Sequence, residues 1–183
     1  YIRGDTMKLL ACPKCHQQLH LENKTLKCEN NHCYDISKRG YINLLLNPDK
    51  ATNNPGDSKE SLVARKAYLN KGYYDPILNQ VITCIDEFKH QDDLSILDLG
   101  CGEGYYTQGL KKHFETSDIY GLDISKIAID MATRYRKDVT WLVGNSKNIP
   151  ILDHSLDFIC ALFTVVNQDE LKRALKEDGY IVH

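Results

Sequence analysis

Apolar residues in the second part of the chain form an alternating series of short runs and helical repeats. Short apolar runs bounded by turn residues predict strands, and apolar positions spaced three to four residues apart predict helices. Strands are predicted at 95–99, 118–123, 139–143, 155–165 and 180–182, and helices at 58–71, 73–88, 106–114, 125–135 and 168–176. This alternation is typical of an α/β fold, with a parallel, doubly wound sheet and helices on both faces.

The predicted strand series stops after five members. A fold of this class that binds a nucleoside usually closes with more strands, so we expect its C-terminal part to be missing. The segment 47–58 is rich in Pro, Asn, Gly and Asp, which is typical of a linker. We therefore predict a small β module at 7–46, a linker at 47–58 and the doubly wound domain at 59–183.

Three alternating glycines lie between the first predicted strand of the sheet and the following helix. Gly100, Gly102 and Gly104 let the backbone pass close to a ligand, which the loop delivers to a helix N-terminus. Their Gly-x-Gly-x-Gly spacing differs from the dinucleotide fingerprint. Asp98 stands two residues before the first glycine, where a carboxylate repels a pyrophosphate but accepts hydrogen bonds from an ammonium group. This combination favours S-adenosylmethionine over NAD.

Two further candidates follow later strands of the predicted sheet. Asp123 ends the next strand, at the position from which a carboxylate contacts a ribose diol. The alternative is an ordinary strand–helix turn with a charged surface residue. Asn145 and Ser146 follow the third strand, so Asn145 is a candidate for contact with an adenine edge, and a simple turn is the equal alternative.

Four of the seven cysteines lie close together near the start of the chain. Two thiols two residues apart can present both sulfurs to one ion, and a second pair completes a tetrahedral site. We predict zinc on Cys12, Cys15, Cys28 and His32, with Cys33 as the competing fourth ligand. A redox Cys-x-x-Cys is the alternative, but such motifs normally open a helix in a thioredoxin-like unit, and no such pattern precedes this one.

Composition and charge narrow the class of protein. An odd number of cysteines argues for a reducing cytosol, and no apolar run in the sequence could span a bilayer. We therefore expect a cytoplasmic location and no membrane partner. The formal net charge is −2, with basic residues in excess before residue 51 and acidic residues after it. Lys38, Arg39 and Tyr41 suit a nucleic-acid surface, and a strand that caps the zinc module is the alternative.

Several stretches together resemble one family, the RlmA-type ribosomal RNA large-subunit (guanine-N1-)-methyltransferases. The matching stretches are 12–17, 40–45, 55–58, 97–106 and 123–126. Members of this family join an N-terminal zinc finger to a Rossmann-like S-adenosylmethionine-dependent domain. The resemblance implies zinc on the four residues named above and cofactor contacts at Tyr74, Gly102 and Glu103. Ile124, next to Asp123, is a further candidate for cofactor contact.

The activity that the resemblance implies is methylation of guanine N1 in a hairpin of 23S ribosomal RNA, with the zinc module helping to bind the RNA. No residue is assigned as the acceptor of the N1 proton. A small-molecule methyltransferase with a structural zinc cap and a non-catalytic zinc-dependent RNA-binding module are the alternative functions. A homodimer is one option for the assembly.

Overall fold

A computed structural model describes residues 7–46 and 57–183 of the chain. The predicted linker at 47–58 therefore lies almost entirely outside the described residues, and so does part of the family-like stretch 55–58.

The N-terminal module is built on a three-stranded antiparallel sheet of β1 (His20–Glu22), β2 (Thr25–Lys27) and β3 (Cys33–Asp35). Strands β1 and β2 form a hairpin, in which Leu21 pairs with Leu26. Leu26 is buried, whereas its partner Leu21 is exposed, so the hairpin contributes to a core through β2, and β1 is exposed along its length.

A second sheet has six strands, all parallel, in the order β4-β7-β6-β5-β8-β9. Its strands are β4 (Ile42–Asn43), β5 (Ser95–Leu99), β6 (Asp118–Asp123), β7 (Thr140–Val143), β8 (Leu156–Cys160) and β9 (Leu175–Val182). The helices are α1 (Lys59–Leu69), α2 (Asp75–Phe88), α3 (Tyr105–His113), α4 (Lys126–Ala132) and α5 (Gln168–Ala174). The predicted α/β class is confirmed.

The predicted count of five strands in this sheet is wrong. The sixth strand, β4, comes from the zinc module, where Ile42 pairs with Leu142 and Asn43 with Val143. Two residues are too short to show a strand period, so the sequence pattern could not separate this edge strand from a local cap.

Two predicted elements end earlier in the structure than the sequence indicates. The strand predicted at 155–165 ends at Cys160, and Phe163 adopts a positive φ of 57° that an extended strand cannot contain. The helix predicted at 168–176 ends at Ala174, because Leu175 already pairs with Leu156 in the sheet. Serine side chains cap two helices: Ser58 and Ser125 accept hydrogen bonds from the first turns of α1 and α4.

Alternating residues of the central strands enter two separate cores, one on each face of the sheet. Ile96 packs with Val81 of α2 and Leu110 of α3 in one core. Leu97 lies on the opposite face, in a core that includes Cys28 of the zinc module. The zinc module therefore covers one face of the sheet, and helices α2 to α4 cover the other.

The chain order of the strands creates a switch point at β5. From β5 the chain proceeds outward through β6 and β7, and then crosses to β8 on the other side. Ligands of open α/β sheets bind beyond the carboxyl ends of the strands at such a point, which here is the glycine loop. Within the described residues, no helix has the length and apolar character that crossing a membrane requires.

Candidate functional site

The four predicted zinc ligands converge in the structure. The Sγ atoms of Cys12, Cys15 and Cys28 and a ring nitrogen of His32 all lie within 4.8 Å of one another. His32 Nδ1 is 3.4 Å from Cys12 Sγ, 3.5 Å from Cys15 Sγ and 3.4 Å from Cys28 Sγ. The Sγ atoms of Cys15 and Cys28 are 3.7 Å apart, and neither cysteine forms a disulfide.

These separations match a tetrahedral zinc site. Zinc–sulfur bonds of about 2.3 Å and zinc–nitrogen bonds of about 2.0 Å imply edges of about 3.8 Å between sulfurs and about 3.5 Å from sulfur to nitrogen. The donor set of three thiolates and one imidazole is one that zinc prefers. Cys33 is exposed and donates to the carbonyl oxygen of Asn31, so it lies outside this cluster.

The surroundings of the sulfurs differ. The pKa of Cys15 is lowered to about 6, mainly by a hydrogen bond from the backbone of Gln17. Desolvation acts in the opposite direction and raises this pKa. Burial raises the pKa of Cys12, whose Sγ lies 3.2 Å from the hydroxyl of Tyr34. A donor at this distance can stabilise a metal-bound thiolate without itself binding the metal.

The glycine loop links β5 to α3 in the left-handed conformations that glycine tolerates. Gly102 has a φ of +56° and Gly104 a φ of +86°. A Cβ on Gly104 would lie 2.5 Å from the ring of Trp141, which is buried beneath the loop. A Cβ on Gly102 would meet no protein atom within 4 Å. Gly104 therefore has a packing role, whereas Gly102 opens onto free space beside the loop.

A cavity of about 250 Å³, here called the first cavity, lies against one side of this loop. Loop residues form its floor, α1 and the start of α2 form one wall, and the segment after β8 forms another. The predicted site residues that line it are Tyr74, Asp98, Gly100, Gly102 and Glu103. Sequence reasoning missed the other lining residues Arg65, Tyr68, Leu69, Cys101, Tyr105, Tyr106, Leu162 and Phe163 as parts of the site.

Asp98 is almost fully buried at the carboxyl end of β5. Burial raises the pKa of Asp98 to about 7, although the hydroxyl of Thr107 donates to its Oδ2 at 2.5 Å. Sequence reasoning also missed Thr107, which lies in the first turn of the helix that the loop enters. A cationic group in the first cavity would favour the ionised carboxylate, which burial otherwise disfavours.

Two polar atoms near the first cavity lack partners. Glu103 Oε1 and the Tyr106 hydroxyl are buried without a hydrogen bond from any described residue. Burial raises the pKa of Glu103 and raises that of Tyr106 to about 12. Buried polar groups are almost always satisfied, so both atoms call for a polar ligand. Together with Gly102 and Asp98, they fit a ligand that carries hydroxyl and ammonium donors.

A smaller cavity of about 110 Å³, the second cavity, lies on the other side of Gly100. Its lining contains Asp123, Ile124, Asn145 and Ser146, all of them predicted site residues. Asp123 Oδ2 accepts from the backbone N–H of Gly102 at 2.9 Å, and its Oδ1 accepts from that of Ser125 at 2.7 Å. The carboxylate is thereby held against the loop, and burial raises its pKa.

The segment after β8 separates the two cavities. A Cβ on Gly100 would lie 2.5 Å from Thr164 Oγ1, so this side chain crosses directly over the first glycine. Thr164 lines the second cavity, while Leu162 and Phe163 line the first. Their position after a strand at the switch point is a topological signal that could have identified them as site residues.

Aromatic rings surround the mouth of the first cavity. The ring centroids of Tyr68 and Tyr74 are 6.0 Å apart, and those of Tyr74 and Phe163 are 6.3 Å apart. Tyr68 and Tyr73 also pack at 5.3 Å. Phe163 is 77% exposed, which leaves a face of this aromatic cluster open for a planar partner.

Three further polar or aromatic residues, Asp157, Cys160 and Tyr41, have structural roles. Asp157 accepts hydrogen bonds from the backbone N–H of Ser95 and from Lys176 Nζ. These contacts fix it at the amino end of β8, away from the glycine loop. Cys160 is buried. Tyr41 is also buried and joins a core, so of the three residues considered for a basic and aromatic surface only Lys38 and Arg39 are exposed.

Two family models match the chain. The model described as "RlmA, N-terminal" matches residues 10–51, and the model described as "Methyltransferase domain" matches residues 96–179. These matches confirm the resemblance inferred from the sequence.

Two curated relatives match nearly the whole chain. The 23S rRNA (guanine(748)-N(1))-methyltransferase of Streptomyces fradiae is 28% identical over 183 residues, covering 99% of this chain and 64% of the relative. A Bacillus subtilis (strain 168) protein, provisionally assigned as a 23S rRNA (guanine-N(1)-)-methyltransferase, is 30% identical over 181 residues, covering 95% and 63%. The chain thus spans slightly less than two thirds of each relative.

A solved structure supports the fold. A TehB-like S-adenosylmethionine-dependent methyltransferase from Corynebacterium glutamicum superposes with a TM-score of 0.52 and 26% identity, covering 67% of this chain and 69% of its own.

Proposed function

Because the chain joins an RlmA-type zinc ribbon to a methyltransferase domain, we propose that it transfers a methyl group from S-adenosylmethionine to N1 of a guanine in a hairpin of 23S ribosomal RNA. One observation carries the proposal most directly. Two cavities flank a bare glycine loop, one with the buried carboxylate of Asp98 at its edge and the other with the partly buried carboxylate of Asp123. The named activity of the Streptomyces relative supports this choice of base and atom.

Asp98 and Asp123 would hold opposite ends of the methyl donor. Asp98 would receive the ammonium group in the first cavity, and Tyr106 and Glu103 would satisfy further polar atoms there. Asp123, fixed by two backbone N–H groups, would accept from the ribose hydroxyls, with Asn145 near the adenine edge. When bound, S-adenosylmethionine supplies a methyl group already activated by its sulfonium, so alignment can provide most of the rate.

The aromatic cluster at the mouth of the first cavity would hold the guanine. An enzyme that modifies a base must take that base out of its stack, and aromatic side chains commonly receive it. Phe163 and Tyr74 offer exposed ring surface beside the cavity that contains Gly102. Their place at the opening makes them the residues most suited to orient the Watson–Crick edge toward the methyl donor.

The zinc module would contribute to RNA binding, and it already covers one face of the sheet. A ribosomal RNA substrate implies the cytoplasm as the working location, which we propose for this chain. The homodimer is still a prediction. Sedimentation equilibrium, which measures the mass of the assembly in solution, tests it.

The proposal is tested by methyl transfer to RNA. The chain is incubated with labelled S-adenosylmethionine and a transcript of the 23S rRNA hairpin that carries guanine 748, the nucleotide named for the Streptomyces relative. We expect label in the RNA and a mass-mapped methyl group on guanine N1. Methylation of a metabolite pool with no label in RNA would support a small-molecule methyltransferase. Binding of RNA that is indifferent to S-adenosylmethionine, without transfer, would support a non-catalytic module.

A further inference from the structure

A third concave surface lies between the zinc module and the sheet domain. It encloses about 620 Å³, more than either cavity beside the glycine loop. The β1–β2 turn and the turn at 36–40 form one wall, and the segment between α4 and β7 forms the other. We call this surface the basic groove.

The lining of the basic groove is strongly cationic. Its charged side chains are Lys24, Lys38, Arg39, Arg136 and Lys137, and no described carboxylate lines it. The whole chain carries a formal net charge of −2. Positive charge is therefore concentrated on this surface, although acidic residues prevail elsewhere.

The two arginines of the groove form ion pairs with neighbouring acids. Arg39 Nε lies 2.6 Å from Asp130 Oδ1, and Arg136 Nη2 lies 2.7 Å from Asp138 Oδ2. The three lysines differ, because Lys24, Lys38 and Lys137 are exposed and none forms an ion pair with a carboxylate in the described part of the chain. The groove thus offers three ammonium groups to an external anion.

The groove is preformed by contacts between its two walls. Lys137 Nζ donates to the carbonyl oxygen of Arg39 at 3.3 Å, which joins the zinc module to the segment before β7. Pairing of β4 with β7 fixes the same two parts within one sheet. Trp141 Nε1 donates to the carbonyl oxygen of Arg136 at 3.0 Å, which holds the second wall. A rigid surface loses little entropy when it binds a ligand.

We propose that the basic groove binds the phosphate backbone of an RNA hairpin stem while the base to be methylated occupies the aromatic mouth of the first cavity. This inference rests on the proposed function. The groove lies at the amino end of β7, and Asn145 and Ser146 of the second cavity follow its carboxyl end. Four strand residues span only about 13 Å, so one stem can contact the groove and present its loop to the cleft.

Ammonium groups without carboxylate partners match the phosphates of RNA, where binding releases counterions. The contribution is independent of base sequence, so this surface would position the hairpin and leave the choice of guanine to the cleft. An acidic protein is the competing partner for such a groove, and the experiment below separates it from RNA.

The test compares two double variants with the same loss of charge. Lys24→Ala/Lys38→Ala removes groove lysines, and Lys112→Ala/Lys172→Ala removes exposed lysines of α3 and α5 outside the groove. Affinity for the 23S rRNA hairpin transcript is measured over a range of salt concentrations. Titration with S-adenosylmethionine reports whether the cleft of each variant is intact.

We expect the groove variant to bind the transcript about tenfold more weakly at 0.15 M salt, with the slope of log affinity against log salt reduced by about 1.4 to 1.8. The control variant should bind as the wild type does, and all three should bind S-adenosylmethionine equally. Equal RNA affinity in the groove variant and the wild type would overturn the inference and favour a protein partner. Equal losses in both variants would also overturn it. If the wild-type chain bound S-adenosylmethionine but no RNA, the proposal that RNA is the substrate would itself be overturned.

Discussion

Asn148 donates its side-chain Nδ2 to the carbonyl oxygen of Pro13 at 2.8 Å, which ties the loop after β7 to the zinc knuckle. The same loop carries Asn145 and Ser146 of the second cavity, and the backbone N–H of Asn148 donates to the carbonyl oxygen of Asn145. The metal centre and the proposed adenine contact are therefore joined by two hydrogen bonds in series.

Asn148→Ala should weaken binding of S-adenosylmethionine. Loss of the Nδ2 donor leaves the Pro13 carbonyl unsatisfied and loosens the loop, at a cost of about 1 kcal/mol or roughly fivefold in affinity. Lys147→Ala is the matched control, since Lys147 is exposed in the same loop and its backbone contact to Asn145 survives the change. Isothermal titration of both variants checks the link, and equal affinities in the two would contradict it.

Replacing Cys28 by Ser should abolish stoichiometric zinc binding, whereas Cys33→Ser should leave it intact. Cys28 belongs to the ligand cluster and to the core under the sheet, but Cys33 is exposed outside it. Structural zinc contributes folding free energy directly, so Cys28→Ser should also lower the thermal midpoint. Metal analysis and thermal unfolding measure both effects. Loss of zinc from the Cys33 variant would make Cys33 a ligand instead of His32.

Alanine at Gly102 and alanine at Gly104 should have different consequences. Either change forces alanine into a left-handed conformation at about 1 to 2 kcal/mol. Gly104→Ala adds a clash with Trp141, so thermal stability should fall further. Gly102→Ala meets no protein atom and should instead reduce S-adenosylmethionine affinity by about tenfold or more, because its methyl group occupies ligand space. Thermal unfolding and titration of both variants distinguish the two roles, and unchanged affinity in Gly102→Ala would refute the assignment of Gly102.

Affinity for S-adenosylmethionine should rise between pH 6 and pH 8. Burial raises the pKa of Asp98 to about 7, and the ammonium group of the ligand requires the ionised carboxylate. The ionised fraction grows roughly tenfold over this range, so affinity should grow by a similar factor and level off above the pKa. Asp98→Asn should bind weakly with no such dependence. If the affinity of the wild type did not change with pH, Asp98 would not be a contact of the ligand.

The same pKa has a stability consequence of opposite sign. Between about pH 4, where a free Asp titrates, and pH 7, the folded chain binds the Asp98 proton more tightly than the unfolded chain does. The contribution of Asp98 to stability is therefore fully present at low pH and is lost as pH rises through 7, by about 1.4 kcal/mol per pH unit. In the absence of ligand, Asp98→Asn should be more stable than the wild type at pH 8, as denaturant unfolding measures.

Local patterns in the sequence predicted the residues whose roles depend on their immediate neighbours. The glycine spacing and the carboxylate before it predicted a ligand-binding loop, which lies with Asp98 beside a cavity, and the cysteine spacing predicted the cluster of metal-ligating residues. Short-range periodicity also predicted the alternation of strands and helices.

The features that sequence missed depend on contacts between distant segments. Strand β4 exists because Ile42 pairs with Leu142, a hundred residues later in the chain. Phe163 and Thr164 reach the cleft through the positive φ at Phe163, which no propensity predicts for a bulky side chain. Tyr41 is buried by packing with residues of the far domain, so its basic neighbours suggested an exposure that it does not have.

Equilibrium binding of S-adenosylmethionine tests the central claim most directly, with NAD titrated in parallel. Two carboxylates beside an open glycine loop should bind the methyl donor, and the buried Asp98 should exclude the pyrophosphate of NAD. We predict saturable binding of S-adenosylmethionine, weakened in Asp98→Asn, and no binding of NAD. Binding of NAD, or no binding of the methyl donor by the zinc-loaded chain, would contradict the account.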